Sequence, residues 1–328
     1  MDILKKLTNC KIYSTHSQAD DEEAWLKART RGIGGSDIGA ICGVSPFSSA
    51  RQVYLQKTGQ FQDSMTPNDA AKERMRFGHL LEPVVADEYA VRTGKKLYIA
   101  TATLVHKDVP WALANVDRLI LDENDEPYGV LECKTTSEFM NDAWESGEIL
   151  TSYIYQLNWY LWVTGLKFGA FACLVGGNKF YYYETYRNDE LIKEMEEKAK
   201  NFWYNNVLKL KEPEMAAIDK DFTNALFTEV IKNSETTLDD EANELAETIF
   251  ITKQKIKELT EIMEQAQNRL KDRLRETEIG YTSDYIVKWS PRTQRRVDQE
   301  ALKMNYPKVY VDVIKEISFR VMTVKGVK

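Results

Sequence analysis

The chain alternates between stretches with a helical period and stretches with a strand period, and their order already suggests an architecture. Residues 21–31 (DEEAWLKARTR) repeat apolar positions at helical spacing, with Trp25 facing inward. Glycines follow at 32, 34 and 35, and Ser36-Asp37 reads as the N-cap of a second helix running toward Gly43. A short helix over 49–59 stops at Gly59, and a polar loop containing Pro67 fills 60–70. A longer helix then runs from Asn68 to Arg92. Strand-like runs follow at 96–105, 112–121 and 128–134, and the polar turn at 122–127 joins the last two as a hairpin. Residues 151–164 return to a helix closed by Gly165, 168–175 and 179–186 form a second hairpin, and 188–209 reads as a helix. This succession predicts an α/β fold, a mixed central sheet flanked by helices.

Beyond residue 233 the pattern changes. Leu245, Ile249, Thr252, Ile256, Leu259, Met263, Ala266 and Leu270 recur at alternating spacings of four and three. That is a heptad seam, predicting a long helix or helical arm over 234–278, for contact with another subunit or for folding onto its own chain. The tail predicts strands at 284–289 and 293–297, a helix at 298–306 and a strand at 316–325, a small α+β element over 279–328. The organisation expected is therefore a core over 1–233, the arm and the tail.

The net charge of −7 argues against a nucleic-acid partner only until its distribution is considered. Residues 234–278 hold 12 acidic and 7 basic side chains, whereas 284–328 hold 10 basic and 5 acidic. Binding to DNA depends on such local surface rather than on the total. Trp289, Arg292, Arg295 and Arg296 in the tail suit either a DNA-contacting strand pair or a sheet edge protected by charge. No apolar run reaches 18 residues, so no membrane span is expected, and the first residues lack the pattern of a signal peptide. A cytoplasmic protein with reduced thiols is the expectation, since the four cysteines include no C-x-x-C pair. Three scattered histidines cannot build a metal site, so any metal would sit on carboxylates.

Carboxylates are placed where a metal would want them. Asp117 lies in ANVDRLI, among apolar neighbours that make a lone inward acid costly. Glu132 and Lys134 are two apart in the next strand and share a face, while Cys133 turns to the other. Pairing of the two strands would bring Asp117 and Glu132 together, and two such acids need a cation, with oxygen ligands suiting Mg²⁺ or Mn²⁺. Glu82 would add a third acid from the preceding helix. A metal held by acids beside a lysine suits phosphodiester hydrolysis. The same residues would otherwise be a same-face ion pair on a surface.

Asp117, Glu132-Cys133-Lys134 and then Gln156 on a helix resemble the PD-(D/E)xK nuclease core. Trp25 with Arg29, Gly34-Gly35-Ser36-Asp37 and Gly78 with Glu82-Pro83 extend the resemblance to the YqaJ-type viral recombinases, relatives of lambda exonuclease, over residues 20–205. The resemblance implies metal ligands at Glu82, Asp117, Glu132 and the backbone carbonyl of Cys133. It implies a catalytic Lys134, an orienting Gln156, and a pocket for a 5′-terminal phosphate at Arg29 and Ser36. Val116 stands where the proline of the motif's name would be, which costs little because that proline is not chemical.

The function implied is a Mg²⁺-dependent 5′→3′ exonuclease on duplex DNA, phage- or prophage-encoded and acting beside a single-strand annealing protein. A homo-oligomer, as a ring-shaped trimer, is also implied. The alternatives are an endonuclease on the same core or a non-catalytic DNA-binding recombination subunit. His79 is read as a packing residue, and Tyr153, Tyr155, Trp159 and Trp162, at helical spacing, as core rather than base-stacking residues.

Overall fold

In the computed structural model, which describes residues 3–15, 21–60, 69–227, 231–232, 234–315 and 320–326, the chain divides into two units, Met1–Leu226 and Phe227–Lys328. After a 3-10 turn at Ile3–Lys6, the first unit continues with strand β1 (Cys10–Ser14) and helices α1 (Glu22–Thr30), α2 (Gly35–Ile41), α3 (Ala50–Lys57) and α4 (Asp69–Thr93). Strands β2 (Lys96–Ile99), β3 (Thr103–His106), β4 (Leu113–Ala114), β5 (Arg118–Leu121) and β6 (Pro127–Thr136) follow. Helices α5 (Asn141–Ser146) and α6 (Thr151–Thr164) lead to β7 (Phe168–Val175), β8 (Lys179–Tyr186), α7 (Asp189–Asn201) and α8 (Lys220–Leu226).

The central sheet has the order β2-β5-β6-β7-β8. Only β6 and β7 pair in parallel, joined by a connection that contains α6. The fold is thus the mixed α/β sheet expected. Alternation along β7 explains how both faces are covered. Phe168, Ala170 and Ala172 join Val85, Ala86 and Tyr89 of α4 in one core, while Phe171, Cys173 and Val175 join Leu157, Trp159 and Leu161 of α6 in the other. Apolar on every side, α6 runs through the larger core, and the Trp159 indole N–H donates to the Leu113 carbonyl at 2.9 Å.

Two strands expected to be continuous are broken. The run 96–105 parts into β2 and β3, and 112–121 parts into β4 and β5. In each case the second sheet, β1-β3-β4, takes one half and the central sheet the other. β3, β4 and β5 are largely buried and β2 is half-exposed, yet all four carry the same apolar-rich strand pattern, which gave no sign of the change of sheet. The helix expected over 188–209 ends at Asn201 and widens into a π turn, Phe202–Val207, whose two end residues are buried. Ser36-Asp37 is not the N-cap of α2. Gly34 holds that place, and the Asp37 carboxylate reaches back to accept its N–H at 2.8 Å.

In the second unit the heptad stretch is one helix, α9 (Asp240–Leu274), about 52 Å long at ~1.5 Å per residue. Its Asp239 cap accepts the Ala242 N–H, and Leu274 packs at its end against Gly280. Strands β9 (Ile279–Tyr281) and β10 (Ile286–Lys288) form a hairpin, followed by α10 (Gln299–Asn305) and α11 (Pro307–Val313). The strand expected over 293–297 is absent, and Pro307 opens a helix the pattern did not suggest. Of the strand expected at 316–325, residues 320–325 lie outside any element and 316–319 outside the described residues.

Candidate active site

The site forms where β5 begins beside β6. Their antiparallel register pairs Arg118 with Leu131, which sets Asp117 opposite Glu132. The Asp117 carboxylate accepts the Cys133 N–H at 2.8 Å, bonding the two strands just beyond the ladder. A strand residue turns its N–H and carbonyl to the same edge, so the Cys133 carbonyl also faces this side.

Glu132 and Lys134 share the face of β6 that meets α6. The Lys134 ammonium donates to Glu132 Oε1 at 2.6 Å and to Gln156 Oε1 at 3.0 Å. Gln156 closes the triangle, its amide N–H donating to the same Glu132 oxygen at 2.7 Å. A second amide bond from Gln156, at 3.2 Å, reaches the Tyr160 hydroxyl one turn along α6. Lys134 also lies 4.4 Å from the centre of the Tyr153 ring.

The electrostatics are uneven. Burial, then Glu132 and Glu82, pushes the Asp117 carboxyl well above the ordinary carboxylate range. Burial also raises Glu132, despite the lysine beside it. For Lys134 burial works the other way, yet Glu132 and Asp117 outweigh it and hold the ammonium above its usual value. Glu132 Oε2 is buried with no hydrogen-bond partner among the described residues. An acceptor left bare in that way costs on the order of 1–3 kcal/mol.

Glu82 is held apart. Arg118, one step along from Asp117, points to the α4 face and donates to Glu82 Oε1 at 2.5 Å, and to the Asp117 carbonyl at 2.6 Å. Among the described residues no three His, Cys, Asp or Glu side chains stand close enough together to hold a metal ion. The donor set still suits a hard cation in its chemistry, because a bare buried carboxylate oxygen lies beside an acid whose ionised form is disfavoured.

The residues expected to hold a phosphate do come together. Arg29 donates to the Ser36 hydroxyl at 2.5 Å and lies over the Trp25 ring, 4.6 Å from its centre. Ser36 is exposed. Behind them Lys57 donates to the Arg29 carbonyl at 2.9 Å and pairs with the buried Asp37 at 2.7 Å. Tyr160 packs so closely on Gly35 that a Cβ there would overlap its ring. One tyrosine therefore touches both the Arg29–Ser36 turn and Gln156.

Sequence reasoning did not single out Arg118, Tyr160 or Lys57. A lone base in the apolar run VDRLIL was a visible signal for the first, and the four-residue step from Gln156 for the second. Tyr155, Trp159 and Trp162 are buried core, whereas Tyr153 is half-buried beside Lys134. His79 is exposed, so the packing role expected for it does not hold.

A relative in Bacillus subtilis (strain 168), the uncharacterized protein YqaJ, is 35% identical over 320 residues, 96% of this chain and 98% of its own length. Residues 24–167 match the model of the YqaJ-like viral recombinase domain. The chain belongs to the YqaJ family. The match spans Arg29, Ser36 and every residue of the YqaJ site above. Among solved structures, an alkaline exonuclease from Laribacter hongkongensis is similar at 19% identity and a TM-score of 0.46, covering 58% of this YqaJ-family chain and 96% of that one. A phage-related exonuclease from Haemophilus somnus 129PT gives 12% identity and 0.42, covering 55% and 96%. At these scores the likeness says nothing about the chemistry of the YqaJ site. Among the described residues no helix is long and apolar enough to cross a membrane.

Proposed function

We propose that this YqaJ-family chain is a Mg²⁺-dependent deoxyribonuclease, for which Mn²⁺ would also serve, degrading one strand of duplex DNA from its 5′ end. The observation that carries the reading is the bare buried oxygen of Glu132 beside Asp117, flanked by Lys134. Asp117, Glu132 and the Cys133 carbonyl would hold the metal, joined by Glu82 once it parts from Arg118. When bound, the ion lowers the pKa of a water and offsets the charge of the scissile phosphate.

The protein's own residues supply the rest. Gln156 and Lys134 both bond Glu132 Oε1, which fixes that carboxylate and leaves Oε2 as its open donor. The Lys134 ammonium stays charged and stabilises the extra negative charge that builds on a phosphate under attack. Arg29 offers a planar fork for phosphate oxygens and Ser36 an exposed hydroxyl, which together would seat a 5′-terminal phosphate and so select an end. Phage-type recombination supplies the setting: a bacterial host cytoplasm, a single-strand annealing protein that takes the exposed tail, and a ring trimer that retains the duplex.

The test is digestion of linear and covalently closed duplex with and without Mg²⁺. Loss of linear duplex only, faster from 5′-phosphate than from 5′-hydroxyl ends, is expected. Lys134→Ala should abolish turnover with the fold intact. Equal cutting of circles would assign an endonuclease, and no cutting under any metal would leave a DNA-binding subunit.

A further inference from the structure

Along α9 the apolar seam is solvent-exposed: Leu245, Ile256, Leu259 and Met263 each leave more than half of their surface uncovered. Only Leu274, at the end of the 35-residue helix, is buried. An exposed apolar stripe of this length needs a partner helix.

The residues along the stripe indicate which partner. If a second α9 lies alongside in the antiparallel sense, Leu245 meets Leu270, Ile249 meets Ala266, Thr252 meets Met263 and Ile256 meets Leu259. Each small or polar seam residue then faces a large one, so the layers fill evenly. In a parallel pair Ala266 would face Ala266 and leave a gap, and Thr252 would bury two hydroxyls against each other.

Charge points the same way independently. Residues 240–247 carry four acids and no base, and 253–257 three lysines; 258–264 carry three acids, and 269–275 four bases against one acid. Antiparallel pairing lays the first block beside the fourth and the second beside the third, opposite signs throughout. Parallel pairing sets each block beside its own copy. Exposed charges screened over ~8 Å add little affinity but do select orientation.

We infer that α9 is a homotypic docking helix whose occupant is the α9 of a second copy of this chain, bound antiparallel about a two-fold axis between Ile256 and Leu259. The pairing is isologous, so it closes at two copies. It operates whatever assembly the first unit forms.

The experiment uses the full-length protein in analytical ultracentrifugation at micromolar concentration, beside the Ile256→Asp and Leu259→Asp variants. Both sites are exposed, so the variants should fold and keep the wild-type digestion rate. The expected result is a wild-type mass that is an even multiple of the chain and falls by half in either variant. Orientation is read by oxidative cross-linking with peptide mapping. Leu245→Cys mixed with Leu270→Cys should give a 245–270 disulfide between chains, while Leu245→Cys alone gives no 245–245 link. A mass unchanged by both aspartate variants overturns the docking helix, and a 245–245 disulfide overturns the antiparallel sense. Either outcome leaves the nuclease reading untouched, because digestion is scored separately.

Discussion

Two helices in this chain, α6 and α9, are built on apolar repeats, and their fates are opposite. Ten of the fourteen residues of α6 are buried, whereas of the thirty-five in α9 only Leu274 is. The difference lies in what the opposite face carries. In α6 apolar residues appear on all sides, so the helix has no face fit for water and is enclosed between sheet and outer helices. In α9 most apolar residues fall on the heptad stripe, with Phe250, Ile251 and Ile262 outside it, and Glu, Lys and Gln cover most of the rest, so one side suits solvent and the other waits for a partner. An apolar pattern thus predicts burial, but only its width separates burial within a chain from burial between chains.

Identical truncations should split most widely across this contrast. Leu157→Ala in α6 removes a fully buried side chain and should cost ~2–5 kcal/mol. Leu259→Ala in α9 should stay within ~0.5 kcal/mol in the isolated protomer, as surface changes do. Denaturant midpoints at low protein concentration check both, and equal losses would break the contrast.

Function should separate the helices next. Gln156→Ala leaves Glu132 and Lys134 in place but unclamped, and should slow digestion about 10–100-fold, the usual effect of losing a residue that orients a metal ligand. Lys257→Ala on α9 should leave the initial rate on linear duplex unchanged. A similar fall in both would mean that α9 takes part in the chemistry.

Packing of α2 on α6 sharpens the picture at smaller scale. Gly35→Ala drives a methyl group into Tyr160 and should cost ~1–3 kcal/mol. Because the Tyr160 hydroxyl also accepts from the Gln156 amide, the preference for 5′-phosphorylated ends and the rate should fall together. Retention of both would show that Tyr160 yields without disturbing either neighbour.

The smallest effect is a slope. Burial alone would raise the Asp37 carboxyl, but Lys57 and Arg29 hold it below its ordinary value. A carboxylate lowered on folding stabilises above its unfolded pKa, about 3.9, and that contribution is lost as the pH falls through the folded value. Thermal melts from pH 6 to pH 3 should therefore fall less steeply in Asp37→Asn than in the wild type, and parallel slopes would remove Asp37 from the acid response.

Much of this was legible in the residues. Strand period two put Glu132 and Lys134 on one face and Cys133 on the other, and the polar turn at 122–127 made the hairpin that sets Asp117 opposite Glu132. What stayed hidden was tertiary. That 96–105 and 112–121 each change sheets depends on which neighbours are available, since β-branched and apolar residues suit either. That Glu82 turns to Arg118 rather than to its fellow acids follows from a side chain on the opposite face of the sheet, which a list of carboxylates does not show.

The position of those acids along the chain also bears on how the protein folds. Asp117, Glu132, Lys134 and Gln156 fall within one uninterrupted stretch that runs from β5 through β6 and α6. Its hairpin and crossover bring together residues close in sequence, so little loop entropy opposes them. The sheet β1-β3-β4, by contrast, ties Cys10 to His106 and must wait for nearly a hundred residues to be made. On a ribosome all of β1-β3-β4 emerges before Asp117, yet the stretch from Asp117 to Val175 closes the shorter loops and can organise as soon as Val175 is free.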